Sequence, residues 1–143
     1  MKRAGSTFPF EAERNRDLLN AFRLLFPQHK TTDLAFYQHI ADMPSKRFWV
    51  TEERATLVIL AMCRGFTISN MLSSKYEMYQ EIYRRFLELR KQFPHTPTST
   101  LVCEVVNQPA PKFYMTAKSV REIIYRIKRK WYEERKKKLR HLF

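Results

Sequence analysis

The stretch Pro44-Ser45-Lys46-Arg47-Phe48-Trp49-Val50-Thr51 decides how the chain is read, because it returns 65 residues later as Pro109-Ala110-Pro111-Lys112-Phe113-Tyr114-Met115-Thr116. Proline, phenylalanine and threonine recur in both copies, and Arg/Lys, Trp/Tyr and Val/Met are exchanges in kind. Working outwards at the same offset, Phe36, Ile40 and Ala41 correspond to Leu101, Val105 and Val106. On the other side Ala55, Val58, Ile59 and Met62 correspond to Val120, Ile123, Ile124 and Ile127. A gap of two residues then aligns Arg23, Phe26 and Pro27 with Arg90, Phe93 and Pro94. The same order of matches, met twice, predicts an internal repeat. Unit one is expected at about 10–66 and unit two at about 76–131, with a basic extension over 132–143, all in a single domain spanning 1–143.

Each unit reads as a helix ending at Phe-Pro, a loop, a second helix, an extended segment bounded by proline, and a third helix. The first helix is expected at about 10–25, with Pro9 in its first turn, Leu18, Leu19, Phe22, Leu25 and Phe26 as its apolar stripe, and Pro27 as its stop. The second, at about 32–42, carries Leu34, Phe36, Tyr37, Ile40 and Ala41. Residues 47–50 are β-prone and alternate, so Phe48 and Val50 share one face while Arg47 and Trp49 share the other. Thr51 is placed to cap a helix whose first turn holds Glu52 and Glu53, and Gly65 to end it. Residues 67–92 have two apolar faces, which predicts a helix lying between the two units. A loop at 94–99, a helix at about 99–107 and a last helix from Ala117 to about Leu139 complete the order, the last with Val120, Ile123, Ile124, Ile127 and Trp131 for its core face. The expected class is mainly α: a compact helical domain of two repeated units, with a short two-stranded ribbon at their junction as the optional element.

The charge is unevenly spread. Of the formal +13, residues 117–143 supply +8, from 11 basic and 3 acidic side chains, and the other 116 residues hold 16 against 11. With 143 residues, 44% apolar and 14% aromatic, the chain can build one core despite that excess. The dense part contains Lys128, Arg129, Lys130, Arg135, Lys136, Lys137, Lys138 and Arg140, with Glu133 and Glu134 as the acids nearby. Such a helix self-repels unless a polyanion covers it, and binding phosphates would release counterions. Nucleic acid ranks above an acidic membrane surface, because past Trp131 the apolar side chains, Leu139 and Phe143 among them, are too few to make a face opposite the lysines. Cys63 and Cys103 stand in apolar runs without CxxC spacing and read as reduced core residues. The longest uncharged apolar run, Leu57 to Cys63, is too short to cross a bilayer, and no apolar stretch follows the basic start. The expected location is cytoplasmic.

The repeated segments also pair a base with an aromatic. On the functional reading, two short strands present Arg47, Trp49, Lys112 and Tyr114 to a groove or strand, cations to phosphates and rings to sugars or bases. On the packing reading, Phe48 and Phe113 plug the core while Trp49 and Tyr114 cover its rim. Residues Arg47 to Glu53, then Ala61 and Gly65-Phe66-Thr67-Ile68-Ser69-Asn70, resemble the ribbon-helix-helix DNA-binding proteins over about residues 46–85. The resemblance implies that Arg47 and Trp49 face the major groove, and that Thr67 and Ser69 hold a phosphate at the start of the following helix, where free N–H groups favour an anion. In the second copy Lys130 stands where the turn glycine would be.

No catalytic constellation emerges. His29, His39, His95 and His141 show neither i, i+4 pairing nor neighbouring cysteines, so neither a metal nor a cofactor is called for, and two glycines make no phosphate loop. The expected function is non-enzymatic nucleic-acid binding, DNA preferred over RNA, by a regulator or architectural protein of bacterial or phage type, nucleoid-associated in that case. The alternative is an adaptor of a phage or other macromolecular assembly, acting through protein contacts or self-association and located in the virion. RNA binding is the third reading, and no small-molecule substrate or membrane span is expected.

Overall fold

The computed structural model describes residues 10–28, 32–67 and 71–142, and the expectations for Pro9, His29, Ile68, Ser69, Asn70 and Phe143 lie outside them. In chain order the helices are α1 (Glu11–Leu25), α2 (Leu34–Ala41), α3 (Glu52–Cys63), α4 (Ser73–Gln92), α5 (Thr98–Val106) and α6 (Ala117–Leu142), with a 3-10 turn at Phe26–Gln28. The mainly α reading holds. Local signals account for several ends. Thr51 Oγ1 accepts from the Arg54 N–H at 3.1 Å, and Glu52 and Glu53 sit in the first turn of α3. Thr116 Oγ1 accepts likewise from Ser119 N–H at 3.1 Å at the start of α6. Gly65, at φ +85, lets the chain turn back after α3, its N–H donating to the Met62 carbonyl at 3.0 Å.

The helices form two cores, and neither belongs to one half of the chain. The first gathers Leu18 and Phe22 of α1, Phe36, Tyr37 and Ile40 of α2, and Val120, Ile123 and Ile124 of α6. The second gathers Val58 and Ile59 of α3, Met78, Ile82 and Phe86 of α4, and Val102 and Val105 of α5. Helix α2 therefore packs on α6, and α5 on α3. The chain crosses between cores twice, at residues 44–50 and 109–116. The crossings meet at an antiparallel bridge in which Ser45 and Ala110 exchange both N–H···O bonds at 3.0 Å. Phe48 N–H donates to the Val106 carbonyl at 3.0 Å, and Phe113 N–H to the Ala41 carbonyl at 2.9 Å. Each of these contacts has its counterpart 65 residues along.

Two expectations change here. Residues 47–50 and 112–115 form no strands; the pairing stops at the single bridge, and the described residues contain no ribbon. Local backbone features break each extended run: Val50 N–H turns back to the Phe48 carbonyl at 2.9 Å, and Tyr114 takes a left-handed backbone; the alternating side chains divide between the two cores. Phe48 and Val50 enter the second core and Trp49 the first, while Phe113 enters the first and Tyr114 the second. Helix α4 does meet an element of each unit, burying Met78, Tyr79, Ile82 and Phe86 against α3 and α5, but the expected second apolar face is incomplete, since Leu72 and Tyr76 are exposed near its start.

A polar side chain pins each crossing. The buried Asp17 carboxylate of α1 accepts from Lys46 N–H at 2.9 Å and from the Trp49 indole N–H at 3.1 Å. At the second crossing Pro111 has no N–H to offer, and Arg85 of α4 donates instead to the Pro109 carbonyl at 3.0 Å and to Gln108 Oε1 at 3.2 Å. Asp17→Ala leaves two donors without their acceptor, so it is expected to lower unfolding stability by about 1–3 kcal/mol, read from urea denaturation.

Candidate nucleic-acid interface

The residues singled out in the sequence separate into two regions. The first is the junction. Trp49 and Tyr114, expected to face outward, are both buried, so neither ring is presented to a groove. Tyr114 takes a left-handed backbone, φ +57, and its ring stacks on Phe48 with centroids 6.0 Å apart. A bulky residue holds that conformation only where packing compensates the strain. Arg47 turns inward, with Nε donating to the Phe48 carbonyl at 3.0 Å and Nη2 to the Val50 carbonyl at 2.8 Å. Its guanidinium lies 4.7 Å from the Phe10 ring centre and 5.5 Å from that of Trp49. Burial pulls the Arg47 pKa below its ordinary value, opposed by the charges of Glu52 and Glu13. Lys112 behaves differently: its Nζ meets Glu77 Oε2 at 2.6 Å on a half-open surface.

The ribbon-helix-helix expectation for the following turn also changes. Thr67 is exposed, but α4 begins six residues later, at Ser73, so Thr67 does not stand at a helix start. Its N-cap is Leu72, with no side-chain cap bond.

The second region is the far part of α6. This 26-residue helix packs through Val120, Ile123 and Ile124, and every residue from Lys128 to Leu142 is exposed. Fifteen helical residues span about 22 Å. Lys128, Arg129, Lys130, Arg135, Lys136, Lys137, Lys138 and Arg140 all lie on this overhang, and among the described residues none of them is in an ion pair. The overhang is anchored on α1 by rings: Lys128 Nζ sits 4.1 Å from the Phe22 ring centre, and the Arg23 guanidinium 5.5 Å from that of Trp131. A surface cleft of about 380 Å³ runs along it, lined by Lys128, Trp131, Tyr132, Glu134, Arg135 and Lys138.

Several contributors were not anticipated. Asp17 stands one turn before Ala21 on the buried stripe of α1, and an acid at a core position was the available signal. Cys63, expected in the core, is exposed, since its apolar run covers more of α3 than one core-facing arc. Cys103 is partly buried, and its thiol donates to Glu52 Oε2 at 3.1 Å while Asn107 Nδ2 donates to Oε1 at 2.9 Å. Burial first, then the Glu52 contact, raises the Cys103 pKa. Among the described residues no group of His, Cys, Asp and Glu is placed to hold a metal ion, and no helix is long and apolar enough to cross a membrane. No family model matches the chain, and neither does any curated protein or any solved structure.

Two outcomes follow for the junction. Arg47→Ala is expected to cost about 2 kcal/mol, through two carbonyls losing a charged donor, whereas Lys112→Ala stays within about 0.5 kcal/mol; thermal unfolding of the pair reads the difference. For Glu52, the Asn107 and Cys103 hydrogen bonds, with the Arg47 charge, hold the carboxyl below the usual glutamate value against the opposing effect of burial. A depressed folded pKa contributes stability above the unfolded value and loses it as pH falls through the folded one. The acid limb of a stability-against-pH curve is therefore expected to be shallower in Glu52→Gln, measured by urea midpoints from neutral to acidic pH.

Proposed function

We propose that this chain is a non-enzymatic nucleic-acid-binding protein whose contact element is the α6 overhang. One observation carries the reading: eight exposed cations on fifteen residues, with two acids, on a helix that runs past the core, none of the eight in an ion pair among the described residues. Cations held apart from carboxylates on a preformed helix suit a phosphate backbone, because each one neutralised there releases a condensed counterion. The paired contacts at the 65-residue step support reading the chain as two similar units. On that reading the overhang is what the second unit adds, since α3 stops before Gly65 while α6 runs on through Lys130.

The finer expectation, a regulator inserting a ribbon into the major groove, loses its support once Arg47 and Trp49 are built into the junction. DNA remains the first partner to try, through phosphate contacts that position the protein rather than read bases. A second reading, an adaptor working through protein contacts, draws on Leu57, Phe66 and Leu72, large apolar side chains exposed on α3 and along the α3–α4 connection.

A salt titration tests the first reading. Binding to a short DNA duplex is expected to weaken linearly in log K against log salt. Lys136→Ala combined with Lys137→Ala should reduce that slope by about 2. Absence of binding to any nucleic acid at low salt would overturn the proposal and favour the adaptor.

A further inference from the structure

The cleft on the overhang is more than a row of cations. Lys128, Trp131, Arg135 and Lys138 follow one another at intervals of three and four residues, which places them along one face of α6, and Tyr132 borders the same face. Trp131 is 42% exposed and Tyr132 59% exposed, so two flat rings stand in solvent between charges. Neither ring lies bare of cations: Arg23 sits by Trp131, and Lys136 Nζ is 4.6 Å from the Tyr132 ring centre. Contacts of this kind hold the rings in place and electron-rich faces next to positive charge.

We propose that this cleft binds an unpaired nucleic-acid strand, with bases stacking on Trp131 and Tyr132 and the connecting phosphates held by Lys128, Arg135 and Lys138. The inference rests on the nucleic-acid reading above and specifies its substrate. A duplex keeps its bases stacked inside and would use only the cations, leaving both exposed rings without a role. An unpaired strand offers both π-faces and phosphates, which matches two neighbouring rings flanked by Lys128 on one side and by Arg135 and Lys138 on the other. A second copy of the chain would set one strongly positive helix against another. An interfacial membrane helix needs an unbroken apolar face, and Lys128, Arg135 and Lys138 interrupt this one. Glu134, which also lines the cleft, limits how closely phosphates can crowd there.

The test uses the full chain with fluorescent oligothymidylate, oligouridylate, a blunt DNA duplex of equal length, and vesicles containing phosphatidylserine. At one salt concentration, a single strand of either sugar is expected to bind more tightly than the duplex. Trp131→Ala should weaken single-strand binding about five- to a hundred-fold while leaving the salt slope unchanged, because a lost stack releases no counterions. Tyr132→Ala should act in the same direction, and it keeps the test open if circular dichroism shows Trp131→Ala unfolded. Tryptophan emission should be quenched on binding through Trp131, with buried Trp49 as the constant background. Equal affinity for strand and duplex, with both ring variants binding like the parent, overturns this inference and leaves the nucleic-acid reading standing. Binding to none of the oligonucleotides, with or without vesicle binding, overturns both.

Discussion

The exchange of two backbone hydrogen bonds between Ser45 and Ala110 is the contact on which the rest of the arrangement depends. It ties together the two places where the chain passes from one core to the other. With the crossings joined there, α3 must complete the core of α4 and α5, and α6 that of α1 and α2. The six helices thus owe their grouping to a junction that contains no regular secondary structure. The Ser45 hydroxyl adds to it, donating to the Arg47 carbonyl at 2.7 Å and lying 3.3 Å from that of Lys112. Ser45 and Ala110 are themselves buried beside exposed prolines, so losing their paired bonds would leave backbone groups unsatisfied.

The two crossings are alike in backbone and different in side-chain chemistry. The first is held by an acid, Asp17, reaching an N–H and an indole; the second by a base, Arg85, reaching a carbonyl. Lys46 has an N–H that Asp17 accepts, whereas Pro111 has none to give, and there Arg85 meets the Pro109 carbonyl and Gln108 Oε1. The cation–aromatic pairs at 47–49 and 112–114 belong to the same economy. Arg47 satisfies carbonyls within the turn, and the rings beside it fill the cores.

This division of labour separates architecture from charge. The junction absorbs the aromatic residues that had looked most able to read a nucleic acid. The overhang of α6 keeps the cations, together with the two rings at its root that no core encloses. Its place past the last buried turn, beyond Ile124, is what leaves those groups open to a ligand.

Much of the local structure was legible from residues alone. Thr51 with Glu52 and Glu53 marks the start of α3, Gly65 its end, and the stripe from Val120 to Ile124 the buried face of α6; all are short-range effects of capping, conformational freedom and helical period. The concentration of positive charge after residue 117 was equally plain, since charge needs no fold to be counted. What a linear pattern could not decide was which core each apolar face would enter. Alternation sends Trp49 away from Phe48 in either case. Only the packing of α1, α2 and α6 on that other side turned an outward ring into a buried one. The same limit hid Arg23 beside Trp131, a contact between residues 108 apart in the chain. The sequence by itself determined the order of the helices, the capped ends of α3 and the basic extension, because these depend on neighbours within a few residues. The tertiary structure decided the exchange of helices between cores and the exposure of the α6 face, because both depend on segments that meet only after the chain has crossed itself.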